Sequence, residues 1–178
     1  VAAFDPSDDA PQLDFVLLSS GPASLFWDPS VLDSACATLT SLGYHLVQLD
    51  AGAWDDKVAM LDGVAEALSF PGYFGRNLDA LNDCLFDVAS GDNWVPEEAA
   101  GLVLVLTGFD SFATKDADAA HALVDIYAAQ SRYAMLFGRR MLCLLQSDDP
   151  RLELPLVGST GVSWNPSEWL SSKRGPRP

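Results

Sequence analysis

Apolar residues along this chain fall into two rhythms, short unbroken runs and helix-spaced stripes, and the two alternate. The run LDFVLLSS at 13–20, closed by Gly21-Pro22, predicts a buried strand. Asp28-Pro29 then opens a helix, with Asp28 as cap, Pro29 in the first turn and Val31, Leu32, Ala35, Leu39 and Leu42 on one face. Gly43 ends it, and YHLVQLD at 44–50 predicts the next strand. A second helix runs from Asp55-Asp56 to Leu68, with Val58, Leu61, Val64, Ala65 and Leu68 in register, and stops before Phe70-Pro71-Gly72. A third spans Asn77 to Ala89. GLVLVLTGF at 101–109 is too short for a helix and rich in Val and Leu, so it predicts a strand. An alanine-rich helix at 116–136 and the strand RMLCLLQ at 140–146 follow. GVSWNP at 161–166 predicts a last strand and SEWL a helical turn. Fully apolar strands between helices belong to a parallel sheet covered by helices, so the predicted fold is α/β.

Composition narrows the chemistry. Of 178 residues, 49% are hydrophobic, enough for a core without staples, and the length suits one domain with appended pieces. The formal net charge is −15, and residues 1–100 hold seventeen Asp and Glu against Lys57 and Arg76 alone. Such a field repels phosphate backbones and anionic lipid and speeds encounter with basic proteins, so neither nucleic acid nor membrane is an expected partner. Cys36, Cys84 and Cys143 lie far apart among apolar residues, which predicts buried reduced thiols rather than a zinc site or disulfide framework. VAAFDPSDDAPQLDF lacks the basic start and apolar stretch of a signal peptide, and no segment reaches the ~20 apolar residues of a membrane helix. A cytoplasmic protein is the expectation, with residues 1–12 a loose lead-in.

The informative stretch is FPGYFGRNLDALNDCL at 70–85. Pro71 and Gly72 break the chain, Tyr73 and Phe74 present two rings, and Gly75 allows an unusual backbone angle. Asn77 is a suitable cap for the helix that follows. On that helix Leu78, Leu81, Cys84, Leu85 and Val88 share the face expected to meet the core. Asp79, Asp83 and Asp87 recur at i, i+4 and i+8 on another, with Phe86 beside them. Like charges at that spacing cost a helix about 0.2–0.5 kcal/mol per pair, so the row works against local stability. Rings beside carboxylates suit a concave cationic surface, although a solvated acidic face beside half-buried rings has the same sequence.

This segment resembles the signature of the barstar family, intracellular inhibitors of secreted guanyl-specific ribonucleases such as barnase. Strong similarity covers 70–85, and weaker similarity in the order of elements extends from about Tyr44 to Gln146. The resemblance implies a barstar-like domain at 44–146, with a strand–helix extension at 1–43 and a C-terminal extension with a basic tail at 147–178. It further implies that the loop and helix plug a ribonuclease active site in a one-to-one complex, the free protein being a monomer. Tyr73, Phe74 and Asn77 would pack at the mouth, and Gly75, Leu78 and Ala80 would also belong to the partner-binding surface. Asp79 and Asp83 would meet the cations that handle substrate phosphate, Asp83 in the phosphate's place, with Asn82, Phe86 and Asp87 on the same surface. Two positions depart from the family: Asn82 stands where barstar has tryptophan, and Arg76 where it has glutamate. The glutamate that barstar uses on its later helix has no counterpart here, where the nearest positions read Ala128-Ala129-Gln130.

Catalysis is not expected. Asp79 and Asp83 share one helix face rather than facing each other across a cleft, as glycosidase carboxylates do. His45 and His121 are isolated, and the chain has no nucleophile elbow, H-E-x-x-H, phosphate loop or dinucleotide fingerprint. No cofactor or metal is implied. The alternative is an adaptor or immunity protein that uses the same fold on a different basic partner. Trp164 and Trp169 would then either staple the C-terminal segment to the core or offer it a second contact patch.

Overall fold

The computed structural model describes residues 12–91 and 95–175; the lead-in expected at 1–12 lies almost wholly outside them. Six helices and five strands follow in the order α1 (Leu13–Ser20), β1 (Ala23–Phe26), α2 (Pro29–Ser41), β2 (His45–Asp50), α3 (Lys57–Ala67), α4 (Leu78–Ser90), β3 (Leu102–Thr107), α5 (Phe109–Lys115), α6 (Ala117–Leu136), β4 (Met141–Gln146) and β5 (Ser163–Trp164). The strands form one sheet in the order β2-β3-β4-β1-β5, and every ladder is parallel. The α/β expectation holds, and the helices cover both faces of the sheet.

Side-chain alternation along the central strands divides the core. Leu102, Leu104 and Leu106 of β3 and Met141, Cys143 and Leu145 of β4 pack with α3, α4, α5 and α6 on one face. Val103, Val105, Leu142 and Leu144 point the other way, into a cluster closed by Leu17 of α1 and Leu32, Ala35 and Leu39 of α2. Without those N-terminal helices, four apolar strand residues would face water. At about 25 cal/mol per Å² of apolar surface, leaving them bare costs several kcal/mol.

One expectation at the N-terminal end is overturned and one strand there was missed. The run at 13–20 is helix α1, not a strand, and the strand is the four-residue ASLF that follows. A short apolar run cannot separate a strand from a buried helix turn by periodicity. Asp14 decides it. Its carboxylate, 1% exposed, accepts from the Tyr44 hydroxyl at 2.7 Å and from Arg140 Nη1 at 2.7 Å, which ties α1 to the starts of β2 and β4. Burial, and then the hydrogen bond to Asp14, push the Tyr44 phenol well above its ordinary range. β1 escapes notice because Ala23 and Ser24 resemble loop residues, yet all four of its positions are buried and paired to β4.

Elsewhere the caps explain the boundaries. Asp28 accepts from the Ser30 amide, and Asp56 from both Val58 and Ala59 at 2.9 Å. Asp116 caps α6 through Ala119 and also accepts from the Lys57 amide, so one carboxylate serves the starts of two helices. The strand expected at 101–109 stops at Thr107, because Gly108 turns into the left-handed region at φ 60° and starts α5, a helix the pattern did not reveal. Val58, placed on the apolar stripe of α3, is exposed; Met60 is buried instead. Cys84 and Cys143 are buried and Cys36 half-buried, all three free. The C-terminal segment is held by Glu168, which is buried and accepts from the amides of Trp27 and Asp28 at 2.9 and 2.8 Å. Trp164 packs on the core under the Arg174 guanidinium, whereas Trp169 is exposed.

Candidate functional site

Residues 70–87 form a loop and helix fastened at three points. Phe70 and Phe74 stack at 5.3 Å and both lie against the core. Arg76 reaches back to Asp62 of α3, Nε to Oδ1 at 3.2 Å; this exposed pair contributes at most about 1 kcal/mol. Asn77 caps α4, its Oδ1 accepting from the Ala80 amide at 2.8 Å while its Nδ2 donates to the Gly75 carbonyl. The unusual backbone angle expected at Gly75 falls one residue later, on Arg76 at φ 48°. Space around Gly75 is tight: a Cβ there would meet Asn77 Nδ2 at 3.1 Å and Ala80 Cβ at 3.4 Å and would press on the capping amide.

This anchoring leaves Tyr73 projecting, 81% exposed, while Phe74 is drawn inward onto Phe70. On α4, Leu81, Cys84, Leu85 and Val88 are buried and Leu78 is half-buried against the core. Asp79 and Asp83 are exposed and Asp87 partly so, and among the described residues none of the three is in an ion pair. Desolvation, then the charges of Asp87 and Asp83, raise the Cys84 thiol, which keeps it protonated beneath the row. Ala80 is half-buried and Phe86 exposed.

The two positions that differ from barstar are handled differently from the acids. Asn82 does not stand free: its Oδ1 accepts from Gln130 Nε2 of α6 at 2.8 Å. Gln130 is one of the positions where an acid was sought, and it is spent on fixing α6 to α4. One turn further along, Phe86 lies tilted against Tyr133 at 4.8 Å, and Tyr133 meets Phe137 edge-on at 5.1 Å. Sequence reasoning named Phe86 but missed both α6 partners. The only signal for them was the spacing of Tyr133 and Phe137, i and i+4 at the end of an otherwise alanine-rich helix.

Among the described residues no group of three His, Cys, Asp or Glu could hold a metal, and no helix is long and apolar enough to cross a membrane. The fold and this surface define a class: a parallel α/β protein presenting acidic and aromatic side chains on a rigidly seated loop and helix. The family described as Barstar (barnase inhibitor) matches residues 44–146, which include this loop and helix and three of the five strands, and the chain belongs to the barstar family. That family is one of inhibitors rather than enzymes, and its membership carries a barnase-type ribonuclease-inhibitor or related immunity role. Among curated proteins, none matches the chain significantly.

Proposed function

We propose that this protein inhibits a basic, guanyl-specific ribonuclease, or a ribonuclease toxin, inside the cell by seating the 73–87 loop and helix in its active site as a one-to-one complex. The observation that carries this reading is that Asp79 and Asp83 are exposed and, among the described residues, in no ion pair, on a helix whose start is capped by Asn77. Carboxylates carried on a capped helix and engaged in no ion pair among the described residues have no such contact to break when they meet a cationic cleft. Asp83 then occupies the position of the substrate phosphate, with Asp79 and Asp87 flanking it and Tyr73 covering the rim. The net charge of −15 speeds encounter with a basic enzyme. In this reading the described residues of the two extensions, 12–43 and 147–175, add to the domain at 44–146 by covering its second sheet face and adding strands at its β4 edge.

The test is titration of a small basic guanyl-specific ribonuclease with this protein and with Asp83→Ala. Stoichiometric loss of RNA cleavage that the variant fails to reproduce supports the reading. Undiminished cleavage in excess folded protein refutes it.

A further inference from the structure

The family reading places the partner on α4, yet the exposed apolar surface does not stop there. Phe86, Leu136 and Phe137 are three of the large hydrophobic side chains the fold leaves in water, Leu136 at 77% and Phe137 at 49%. Phe86 and Phe137 meet through Tyr133 in one ridge across the α4–α6 seam, Phe86 tilted against that ring and Phe137 edge-on to it, and Leu136, the last residue of α6, directly precedes Phe137. The ridge is held rigid below by the Asn82–Gln130 hydrogen bond one turn earlier. It also adjoins the acidic row, because Asp83 and Phe86 lie three residues apart on α4 and are therefore neighbours on its surface.

We infer that this aromatic ridge is the second half of the partner surface and takes the rim of the same basic ribonuclease, so that α6 contributes rings where an acid was expected. The inference rests on the inhibitor reading above. Two features of the ridge select this occupant over others. The ring faces are electron-rich and lie beside uncompensated carboxylates, an environment that attracts arginine and lysine stems with their charged heads. The stack is continuous with the acidic row, so a body seated on Asp79 and Asp83 covers Phe86 and extends toward Phe137. Rings already packed against one another have less freedom left to lose on burial, and aromatic side chains are enriched among the residues that dominate interfaces.

The two halves are separable by kinetics. Charges govern the association rate and its salt dependence, while desolvated apolar contacts govern dissociation. Association and dissociation of a small basic guanyl-specific ribonuclease are therefore measured for the wild type, Asp83→Ala, Phe137→Ser and Phe137→Arg, with thermal unfolding of each as a check on folding. Phe137→Ser is expected to raise the dissociation rate about 10- to 100-fold and leave the salt slope of association unchanged. Phe137→Arg should do the same and also slow association. If both Phe137 variants match the wild type while Asp83→Ala is impaired, the inhibitor reading stands and the ridge is no part of it. If the wild type itself fails to bind, the inhibitor reading falls first and the assignment of this partner falls with it. Sedimentation of the free protein supplies the remaining outcome: a dimer abolished by Phe137→Ser puts a second copy on the ridge and overturns the inference.

Discussion

Replacing Asp83 by alanine should make the free protein more stable and the inhibitor worse, and the opposed signs are the point. Asp83 stands four residues from both Asp79 and Asp87, and no ion pair among the described residues offsets either repulsion. Two like-charge pairs at about 0.2–0.5 kcal/mol each, with alanine's better helix propensity, give a gain of about 1 kcal/mol. For a chain of this size that is a rise in Tm of roughly 2–4 °C. Repulsion between exposed charges is screened by salt, so much of the gain should vanish at molar salt, leaving the propensity part. In the proposed complex the same carboxylate would be desolvated against cations. Removing one member of such a buried, hydrogen-bonded pair costs about 2–5 kcal/mol or more, which is roughly 30-fold to several thousand-fold in Kd. That range draws on the barnase–barstar pair itself and is a family value rather than one worked from this chain. The assay pairs thermal unfolding at low and high salt with titration against the ribonuclease. An Asp83→Ala protein that melts lower than the wild type, or that binds equally well, would refute the reasoning, because Asp83 would then be a structural residue or an ordinary solvated one.

Further outcomes concern the frame behind the site. Asp14→Ala strips Tyr44 and Arg140 of a buried acceptor and should cost about 3 kcal/mol or more in urea unfolding, with α1 losing amide-exchange protection first. Glu168→Ala removes the carboxylate that accepts from the Trp27 and Asp28 amides and should lower stability by about 2–4 kcal/mol, readable as a Tm fall of roughly 4–16 °C. Tyr44 and Tyr127 are both raised, chiefly by burial, so the fold favours their protonated forms. Their contribution is therefore full below the ordinary tyrosine value near pH ~10 and is lost as pH climbs above it; urea titrations across that window should show stability falling there. Thiol labelling should be ordered: half-buried Cys36 reacts first, though slowly because burial and Asp33 raise it, and Cys143 only after unfolding, which mass spectrometry of timed alkylation resolves.

The parts of this protein that were legible in its sequence are those where one local rule decides the outcome. Apolar runs too short for helices gave β2, β3 and β4, and Asp28, Asn77 and Asp116 marked helix starts because a carboxylate or amide there satisfies open amides whatever the rest of the chain does. The loop and acidic helix were equally plain, since punctuation by proline and glycine and a four-residue charge period are local. What escaped depended on distant partners. Residues 13–20 are helical because Asp14 finds Tyr44 and Arg140, 30 and 126 residues away. α5 depends on Gly108, whose amide reaches Gln146. Within the site, the inward turn of Phe74 and the engagement of Asn82 by Gln130 are set by neighbours brought up by the fold, and so is the stacking of Tyr133 and Phe137 beside Phe86. A sequence can name a carboxylate row, but it cannot show which rings a second helix will lay beside it.

The most direct test of the central claim is competition for the ribonuclease active site. A guanosine 3′-phosphate bound to a small basic guanyl-specific ribonuclease is titrated with this protein and its release is followed. The account predicts complete displacement at one equivalent, with Asp83→Ala displacing far less at the same concentration. Binding that leaves the nucleotide in place would contradict it, because the loop and helix would then be docked somewhere other than the phosphate site.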